Sequence, residues 1–291
     1  MRLVYSILKL LFLLTVGLFV FVFMLLVRNT LLPRWPDKTL PSQYGIYYEE
    51  VNFYSKDKVK LKGWLILKDK RFPTIVLCHG LGTNKSDLLS MVKFIYNSAF
   101  NLFLFDFRGH GESQGKATSF GYLEQKDLEG AIDYLYQRVE NKNIGVFGLS
   151  FGGAVAIMLA GRDERIKAVV SDSAYGNLYL IMLYSAKAFY ALPKFPVNIF
   201  LKIAYFLRFG VNPENVSPEK EISKISPRPV FIIHGEKDKQ VPLENAYSLF
   251  KKAGLPKEIW IVPDADHGES FALFSEEYSR KIIEFFRENM K

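Results

Sequence analysis

The sequence predicts an α/β fold: a mostly parallel sheet of about eight strands with helices on both faces. Three observations carry this prediction. Short apolar runs alternate with longer stretches of helical periodicity through most of the chain. Loops rich in glycine and polar residues follow several of these runs, as expected at the carboxyl edge of an open sheet. Hydrophobic residues make up 49% of the chain, which is enough to fill a large core.

The predicted strands begin with an antiparallel pair and continue as a parallel series. They cover residues 51–54, 60–67, 74–78, 102–106, 143–147, 166–170, 230–234 and 259–262. Helices are predicted at residues 87–97, 122–139, 151–161, 243–253 and 275–289. In the opening pair, Lys58, Lys60 and Lys62 alternate with apolar residues, so they share one strand face. Lysines in this pattern are typical of an edge strand protected from pairing with another chain.

Residues 1–28 are predicted to form a single-pass transmembrane anchor. The run from Leu10 to Val27 carries no charge, and as a helix it would span about 27 Å, close to a bilayer core. No small-residue cleavage site follows, so an uncleaved anchor is favoured over a removed signal peptide. Basic residues flank both ends and do not settle the orientation, but the short head favours an extracytoplasmic position for the rest of the chain.

Residues 29–44 are expected to be a proline-containing linker, and residues 45–291 to form one domain. Within that domain the alternation stops at residues 174–226, a segment too long for a simple crossover and dense in apolar and aromatic residues. We interpret it as a helical cap insertion. Extra core, a dimer surface and a face that enters the membrane are the alternatives.

Gly148-Leu149-Ser150-Phe151-Gly152 is a Gly-x-Ser-x-Gly pentapeptide between a predicted strand and a predicted helix. This context predicts a nucleophile elbow, a tight turn that exposes the Ser150 hydroxyl. We expect a side chain at either glycine to collide with a neighbouring strand or helix. The following helix would direct free N–H groups toward negative charge formed at Ser150. A glycine turn with a solvated serine is the alternative.

A serine nucleophile requires a base, and the chain holds four histidines. His267 lies in the loop after the last predicted strand, where the base is expected when the chain order is serine, acid, histidine. His79 and His234 end predicted strands, and His110 lies in a loop, so we expect these three to brace loops. A surface turn is the alternative reading of His267.

The acid that orients this histidine is predicted at Asp238, in the loop after the strand at 230–234. A carboxylate there would accept from one imidazole nitrogen and leave the other free to face Ser150. An ordinary turn aspartate is the alternative, and three other carboxylates are rivals for the role: Glu236, Asp266 and Asp172.

Two backbone amides are candidates for an oxyanion hole. One is the amide of Phe151, and the other is the amide of Leu81 in the loop at residues 79–82. The two glycines of that loop would let its backbone approach a substrate closely.

At these residues the chain resembles the α/β-hydrolase superfamily, and more narrowly the bacterial serine hydrolases grouped with monoacylglycerol lipases, cinnamoyl esterases and serine aminopeptidases. The matching segments follow the family's order: 78–85, 106–113, 148–152, 229–235, 238–242 and 266–267. The resemblance implies the α/β-hydrolase fold, a triad of Ser150, Asp238 and His267, and oxyanion donors at Leu81 and Phe151. It does not imply a substrate, because one fold hosts many chemistries.

The expected activity is cleavage of a small hydrophobic carboxylic or lipid-like ester by a membrane-anchored serine hydrolase of the carboxylesterase or lipase type. The apolar insertion motivates this expectation, because a cap over an active site would form a dry acyl pocket. Two alternatives stay open: a serine peptidase acting on short peptides, and a catalytically silent binding protein on the same fold.

Composition narrows the partners further. Net charge is +8, but no nucleic-acid motif accompanies it, so anionic lipid headgroups are favoured over nucleic acid, and a solvated basic surface without a partner is the alternative. No residues have the spacing of metal ligands or of a phosphate-binding loop, so we expect neither a metal nor a nucleotide cofactor. Cys78 is the only cysteine, which excludes an internal disulfide. The sequence does not indicate the oligomeric state.

Overall fold

Eight strands form a single sheet in the computed structural model, which describes residues 1–290. The strands are β1 Glu49–Tyr54, β2 Lys60–Ile66, β3 Thr74–Cys78, β4 Asn101–Phe105, β5 Ile144–Leu149, β6 Ile166–Asp172, β7 Val230–Gly235 and β8 Lys257–Val262. Their order across the sheet is β1-β2-β4-β3-β5-β6-β7-β8. The pairings of β2 with β1 and β4 are antiparallel, and all later pairings are parallel. The predicted sheet and its antiparallel opening pair are confirmed.

The α-helices of the described residues precede, separate and follow these strands, and three of them come in succession between β6 and β7. They are α1 Arg2–Thr30, α2 Leu89–Ile95, α3 Glu124–Arg138, α4 Phe151–Ala160, α5 Leu178–Tyr190, α6 Lys194–Phe209, α7 Pro218–Glu221, α8 Glu244–Lys252, α9 Ser270–Leu273 and α10 Ser275–Asn289. The helix predicted at 87–97 differs most, because a 3₁₀ turn at Lys85–Leu88 precedes α2. The Asn84 side chain accepts from the Ser86 amide at 2.9 Å and fixes that tight turn.

The edge-strand interpretation of the lysines is wrong. Lys60 and Lys62 lie on β2, which is hydrogen-bonded to β1 on one side and to β4 on the other. Lys58 precedes β2 with φ 68°, in the turn of the hairpin. The alternating pattern reports a strand face, and it carries no information on whether the strand ends a sheet.

Parallel pairing places the carboxyl ends of β3, β5, β6, β7 and β8 along one edge of the sheet. All five residues of β3 are buried, and every residue of α4 is buried as well, so these elements form a rigid centre. The loops that carry the candidate site residues leave the sheet at this edge.

The chain divides into two compact units. The sheet unit comprises Leu32–Gly176 and the chain from Ser217 onward, and the helical unit comprises Met1–Leu31 and Asn177–Val216. In the helical unit, α1 packs against the insertion: Leu18 and Val22 belong to one apolar cluster with Val197 and Leu201 of α6.

Candidate active site

Ser150 occupies the turn between β5 and α4 with φ 55° and ψ −118°, a sparsely populated combination for a residue with a side chain. The glycines on either side make this turn possible. A Cβ atom at Gly148 would lie 2.4 Å from the backbone carbonyl carbon of Gly152, and one at Gly152 would lie 2.5 Å from the carbonyl oxygen of Cys78. Neither distance is tolerable, so the elbow requires glycine at both positions.

The structure brings Ser150, His267 and Asp238 together. The Nε2 atom of His267 lies 2.8 Å from the Ser150 Oγ atom, and its Nδ1 atom lies 2.7 Å from Asp238 Oδ2. Because a carboxylate accepts, Nδ1 carries the imidazole proton and Nε2 is free to accept from the serine hydroxyl. The arrangement can move a proton from the Ser150 hydroxyl to the imidazole.

The carboxylate of Asp238 is fixed by its own loop. Its Oδ1 atom accepts from the amides of Gln240 at 2.9 Å and Val241 at 2.7 Å. His234 braces the same loop, because its Nε2–H donates to the Val241 carbonyl at 2.8 Å. With Oδ1 occupied, Oδ2 is left to hold the His267 ring, so the imidazole is oriented before a substrate arrives.

The three rival carboxylates have other partners. Asp172 is buried and accepts from the Tyr278 and Ser173 hydroxyls, each at 2.7 Å, and burial raises its pKa. Glu236 accepts from a backbone amide, and Asp266 accepts from the amides of Lys239 and His267. Among the four carboxylates weighed from the sequence, Asp238 is therefore the one bonded to the imidazole.

The remaining histidines brace loops, as expected. His79 donates from Nδ1 to the Gly80 carbonyl at 2.7 Å and accepts at Nε2 from the Phe107 amide at 3.1 Å. Burial lowers the pKa of His79 to about 3, so its ring is neutral. His110 donates from Nδ1 to the Arg108 carbonyl at 2.9 Å. Neither ring contacts Ser150 through these bonds.

The loop that contains Leu81 lies beside the elbow. A Cβ atom at Gly80 would be 3.8 Å from the Cβ of Ser150, which is ordinary contact, and Leu81 itself is 38% exposed. Phe151 is the first residue of α4, and the first amides of a helix have no partner within the helix. The two amides expected to be oxyanion donors therefore belong to segments next to Ser150: the loop beside the elbow and the first turn of α4.

A buried ion cluster directly after this loop was not predicted from the sequence. The Lys85 ammonium is 1% exposed and lies 2.8 Å from Asp106, 2.7 Å from Asp37 and 3.1 Å from Glu112. Burial alone would lower the pKa of Lys85, but Asp106 and Asp37 raise it above its ordinary value. No local pattern reveals this cluster, because Asp37 and the two carboxylates of residues 106–112 are distant from Lys85 in the chain.

The same segment holds part of the linker. The Asn84 amide group donates to the carbonyls of Trp35 at 2.9 Å and Pro36 at 3.0 Å, and the Lys38 amide donates to Ser86 Oγ at 3.1 Å. Residues 35–38 are therefore bound to the loop that follows the Leu81 segment.

Known proteins share this sequence pattern and fold. A family model described as the alpha/beta hydrolase fold matches residues 73–196. Protein YqkD of Bacillus subtilis is 30% identical over 237 residues, which cover 79% of this chain and 76% of YqkD. This chain belongs to the α/β-hydrolase superfamily.

Two further proteins match over most of their length. Protein YfhR of Escherichia coli K12 is 30% identical over 247 residues, covering 81% of this chain and 80% of YfhR. The structure of the Pyrococcus furiosus esterase Pf2001 superposes with a TM-score of 0.76 at 28% identity, covering 90% of this chain and 98% of that one. The predicted superfamily is confirmed, and the fold and the esterase structure support a hydrolase.

Proposed function

We propose that this protein is a membrane-anchored serine hydrolase that cleaves hydrophobic carboxylic esters through an acyl-enzyme. The observation that carries the proposal is the chain of two short contacts, Ser150 Oγ to His267 Nε2 and His267 Nδ1 to Asp238 Oδ2. The structural relative at 28% identity is an esterase, which supports the ester as the bond that is cleaved.

In the first half of the reaction, the Ser150 oxygen attacks the ester carbonyl carbon while His267 Nε2 takes the hydroxyl proton. Asp238 stabilises the imidazolium that forms. The negative charge on the former carbonyl oxygen is held by the amides of Leu81 and Phe151, and the positive end of the α4 dipole adds to this. His267 then gives its proton to the leaving alcohol as the C–O bond breaks, leaving Ser150 acylated.

In the second half, water attacks the acyl carbon and His267 takes one of its protons. The tetrahedral intermediate collapses with the Ser150 oxygen as leaving group, and His267 returns the proton to it. The products are a carboxylic acid and an alcohol, and the protein is restored without a metal or a redox cofactor being required by this scheme.

The preference for a hydrophobic acyl group rests on composition around and after the site. Leu81 is exposed and follows Gly80 in the loop beside the elbow, and the insertion between β6 and β7 is dense in leucine, isoleucine, phenylalanine and tyrosine. Apolar surface favours apolar substrates, because each methylene removed from water contributes about 0.8 kcal/mol.

Membrane anchoring is proposed from α1. This helix is long and apolar enough to cross a bilayer, with a mean hydropathy of 3.1 in its most apolar window, and only 11% of that window is buried. A signal sequence has the same properties, and we favour the anchor because no cleavage site follows. Carbonate-resistant sedimentation of a chain that keeps residues 1–30 supports the anchor, whereas a mature N-terminus beyond Thr30 contradicts it.

The central test is hydrolysis of p-nitrophenyl esters by the purified full chain and by Ser150→Ala. We expect the variant to lose on the order of 10³-fold or more in kcat, because no nucleophile remains. A fluorophosphonate probe should label the unaltered protein and not Ser150→Ala. Activity that survives in the variant removes Ser150 from the mechanism.

Substrate class is tested with a series of acyl chain lengths and with aminoacyl amides of matched leaving groups. The proposal expects kcat/KM to rise from acetyl to longer acyl esters and to exceed that for the amides. A preference for aminoacyl amides supports the peptidase alternative, and a folded chain without probe labelling supports a binding protein.

A further inference from the structure

Helix α6 has apolar side chains on two different faces. One face is buried in the helical unit, where Val197 and Leu201 are 1% and 8% exposed. The other face carries a second set of apolar side chains, spaced four, three and one residues apart. These side chains are not covered by protein: Ile199, Ile203, Phe206 and Leu207 are 45%, 44%, 56% and 63% exposed. A water-facing helix would carry polar residues at these positions.

The buried face of α6 is covered by α1. Leu18 and Val22 of α1 pack with Val197 and Leu201, and the rings of Phe19 and Phe200 lie 5.4 Å apart in an edge-to-face contact. The C-terminal end of α1 is also hydrogen-bonded to the insertion, since the Asn29 amide group donates to the Tyr190 hydroxyl at 3.2 Å. The contact between α1 and the insertion thus runs along the C-terminal half of α1.

These contacts fix the depth of α6 once α1 is in a bilayer. The apolar run of α1 ends at Val27, before Arg28. Val22 and Leu18 lie about 7 Å and about 13 Å from that end, at 1.5 Å per residue. One leaflet contributes about 15 Å of hydrocarbon, so side chains in contact with Leu18 and Val22 lie within a single leaflet.

We propose that the outer face of α6, formed by Ile199, Ile203, Phe206 and Leu207, contacts lipid acyl chains in the leaflet that holds the C-terminal half of α1. This inference rests on the membrane anchor proposed above. Helix α6 then lies beside the anchor within one leaflet, with its outer face among the acyl chains at the depth of Leu18 and Val22. Lys194 at its start and Arg208 in its last turn suit anionic headgroups.

Insertion of α6 in the leaflet determines which esters lie close to the protein. A chain with α6 in the leaflet keeps its insertion in contact with lipid acyl groups. The substrate class that this favours is an ester carried by a membrane lipid, because such a molecule is concentrated where α6 lies.

The test uses an environment-sensitive fluorophore on single cysteines of the full chain. The native Cys78 is buried, so Cys78→Ala gives a background without a competing thiol. Labels are placed at Phe206→Cys on the outer face of α6 and at Phe12→Cys on α1, where Phe12 is 67% exposed. Lys251→Cys, on an exposed position of α8, is the aqueous control.

Each protein is reconstituted in vesicles of phosphatidylethanolamine and phosphatidylglycerol that carry a nitroxide on the acyl chain or on the headgroup. We expect the Phe206 label to be blue-shifted and quenched by acyl-chain nitroxide, as the Phe12 label is, while the Lys251 label shows neither change. Ile203 is 44% exposed and lies on the same face, so Ile203→Cys serves as a second reporter of that face.

The outcomes separate the two proposals. Quenching at Phe12 with a Phe206 label that behaves like the Lys251 label overturns the α6 contact and leaves the anchor standing. A Phe206 label that is blue-shifted but insensitive to both nitroxides indicates cover by protein, such as a second copy of the chain, and also overturns it. Absence of quenching at Phe12 and Phe206 together overturns the anchor and, with it, the α6 contact.

Discussion

The Nε2 atom of His267 lies 2.8 Å from the Oγ atom of Ser150, although 117 residues separate them in the chain. β8, which leads to His267, is separated from β5, which leads to Ser150, by β6 and β7. Three strand spacings amount to about 14 Å, so the loop after β8 has to reach back along the sheet edge. The contact between the two side chains therefore depends on the conformation of that loop and on its bond to Asp238.

Replacement of Asp238 by asparagine should lower kcat on p-nitrophenyl esters by about 10⁴-fold. The amide oxygen of Asp238→Asn can keep the bonds to Gln240 and Val241, so the fold is retained. Its NH₂ group, however, donates to His267 Nδ1 and moves the imidazole proton to Nε2. The ring then faces Ser150 as a donor and cannot accept the hydroxyl proton.

Asp266→Asn is the matched control for this prediction. Asp266 neighbours His267 in the chain, and its carboxylate accepts from the amides of Lys239 and His267 instead of from the ring. We expect a change in kcat within a few-fold, since the imidazole keeps its tautomer. Equal losses in both variants would argue that Asp238 acts only through the loop structure.

Alanine at Gly152 should destabilise the protein by about 1–3 kcal/mol or more. The added Cβ would lie 2.5 Å from the Cys78 carbonyl oxygen and 2.6 Å from that of His79, and backbone atoms cannot rotate away. Gly80→Ala, whose nearest neighbours would be 3.8 Å away, should change the free energy of unfolding by less than about 1 kcal/mol. Urea denaturation in detergent measures both, and equal stabilities would contradict the steric explanation of the elbow.

Lys85→Met should cost about 3–5 kcal/mol of stability, because it leaves the buried Asp106 carboxylate without its cation. Lys38→Met should cost no more than about 1 kcal/mol, since Lys38 is 72% exposed where it pairs with Asp87. Midpoints of chemical denaturation give the comparison. A Lys85→Met chain as stable as Lys38→Met would show that the buried cluster contributes nothing net.

Stability should fall in acid partly through His79. Burial lowers its pKa from 6.5 to about 3, so below pH 6.5 the unfolded chain binds a proton that the folded chain does not. The neutral His79 ring therefore costs the folded chain no stability above pH 6.5. As the pH falls from 6.5 toward 3, the free energy of unfolding decreases by up to about 1.4 kcal/mol per pH unit.

His79→Gln removes this titration and keeps polar atoms near Gly80 and Phe107. The variant is expected to be less stable near neutral pH. Between about pH 6 and about pH 4, its free energy of unfolding should change less steeply with pH, because its unfolding takes up about one proton fewer. The ring of His110 lies 5.0 Å from that of His79, and burial lowers its pKa as well, so the difference between the two slopes reports His79 together with its effect on His110. Parallel pH profiles would contradict a neutral buried ring.

Short-range features of this protein follow from the sequence. The strand, turn and helix around Ser150 are predicted because two glycines, a serine and two apolar runs adopt few other conformations in that order. The antiparallel opening pair and the order of the later strands and helices follow in the same way from periodicity. The apolar and aromatic density of residues 174–226 is visible too, but the sequence does not say which of these side chains are buried.

Partners that come from distant segments required the coordinates. Four carboxylates were compatible with the histidine on chain order alone, and the bond from His267 Nδ1 separates Asp238 from the rest. The sequence likewise did not reveal the Lys85 cluster or the position of β2 between β1 and β4.

What the sequence by itself determined is the set of local conformations and the residue types that could do chemistry, because backbone sterics and side-chain periodicity act over a few neighbours. Only the tertiary structure decided which of those residues meet, and which face of α6 is covered by α1. Such pairings depend on strand order, loop reach and packing between remote segments, and each of these is set by the free energy of the whole chain.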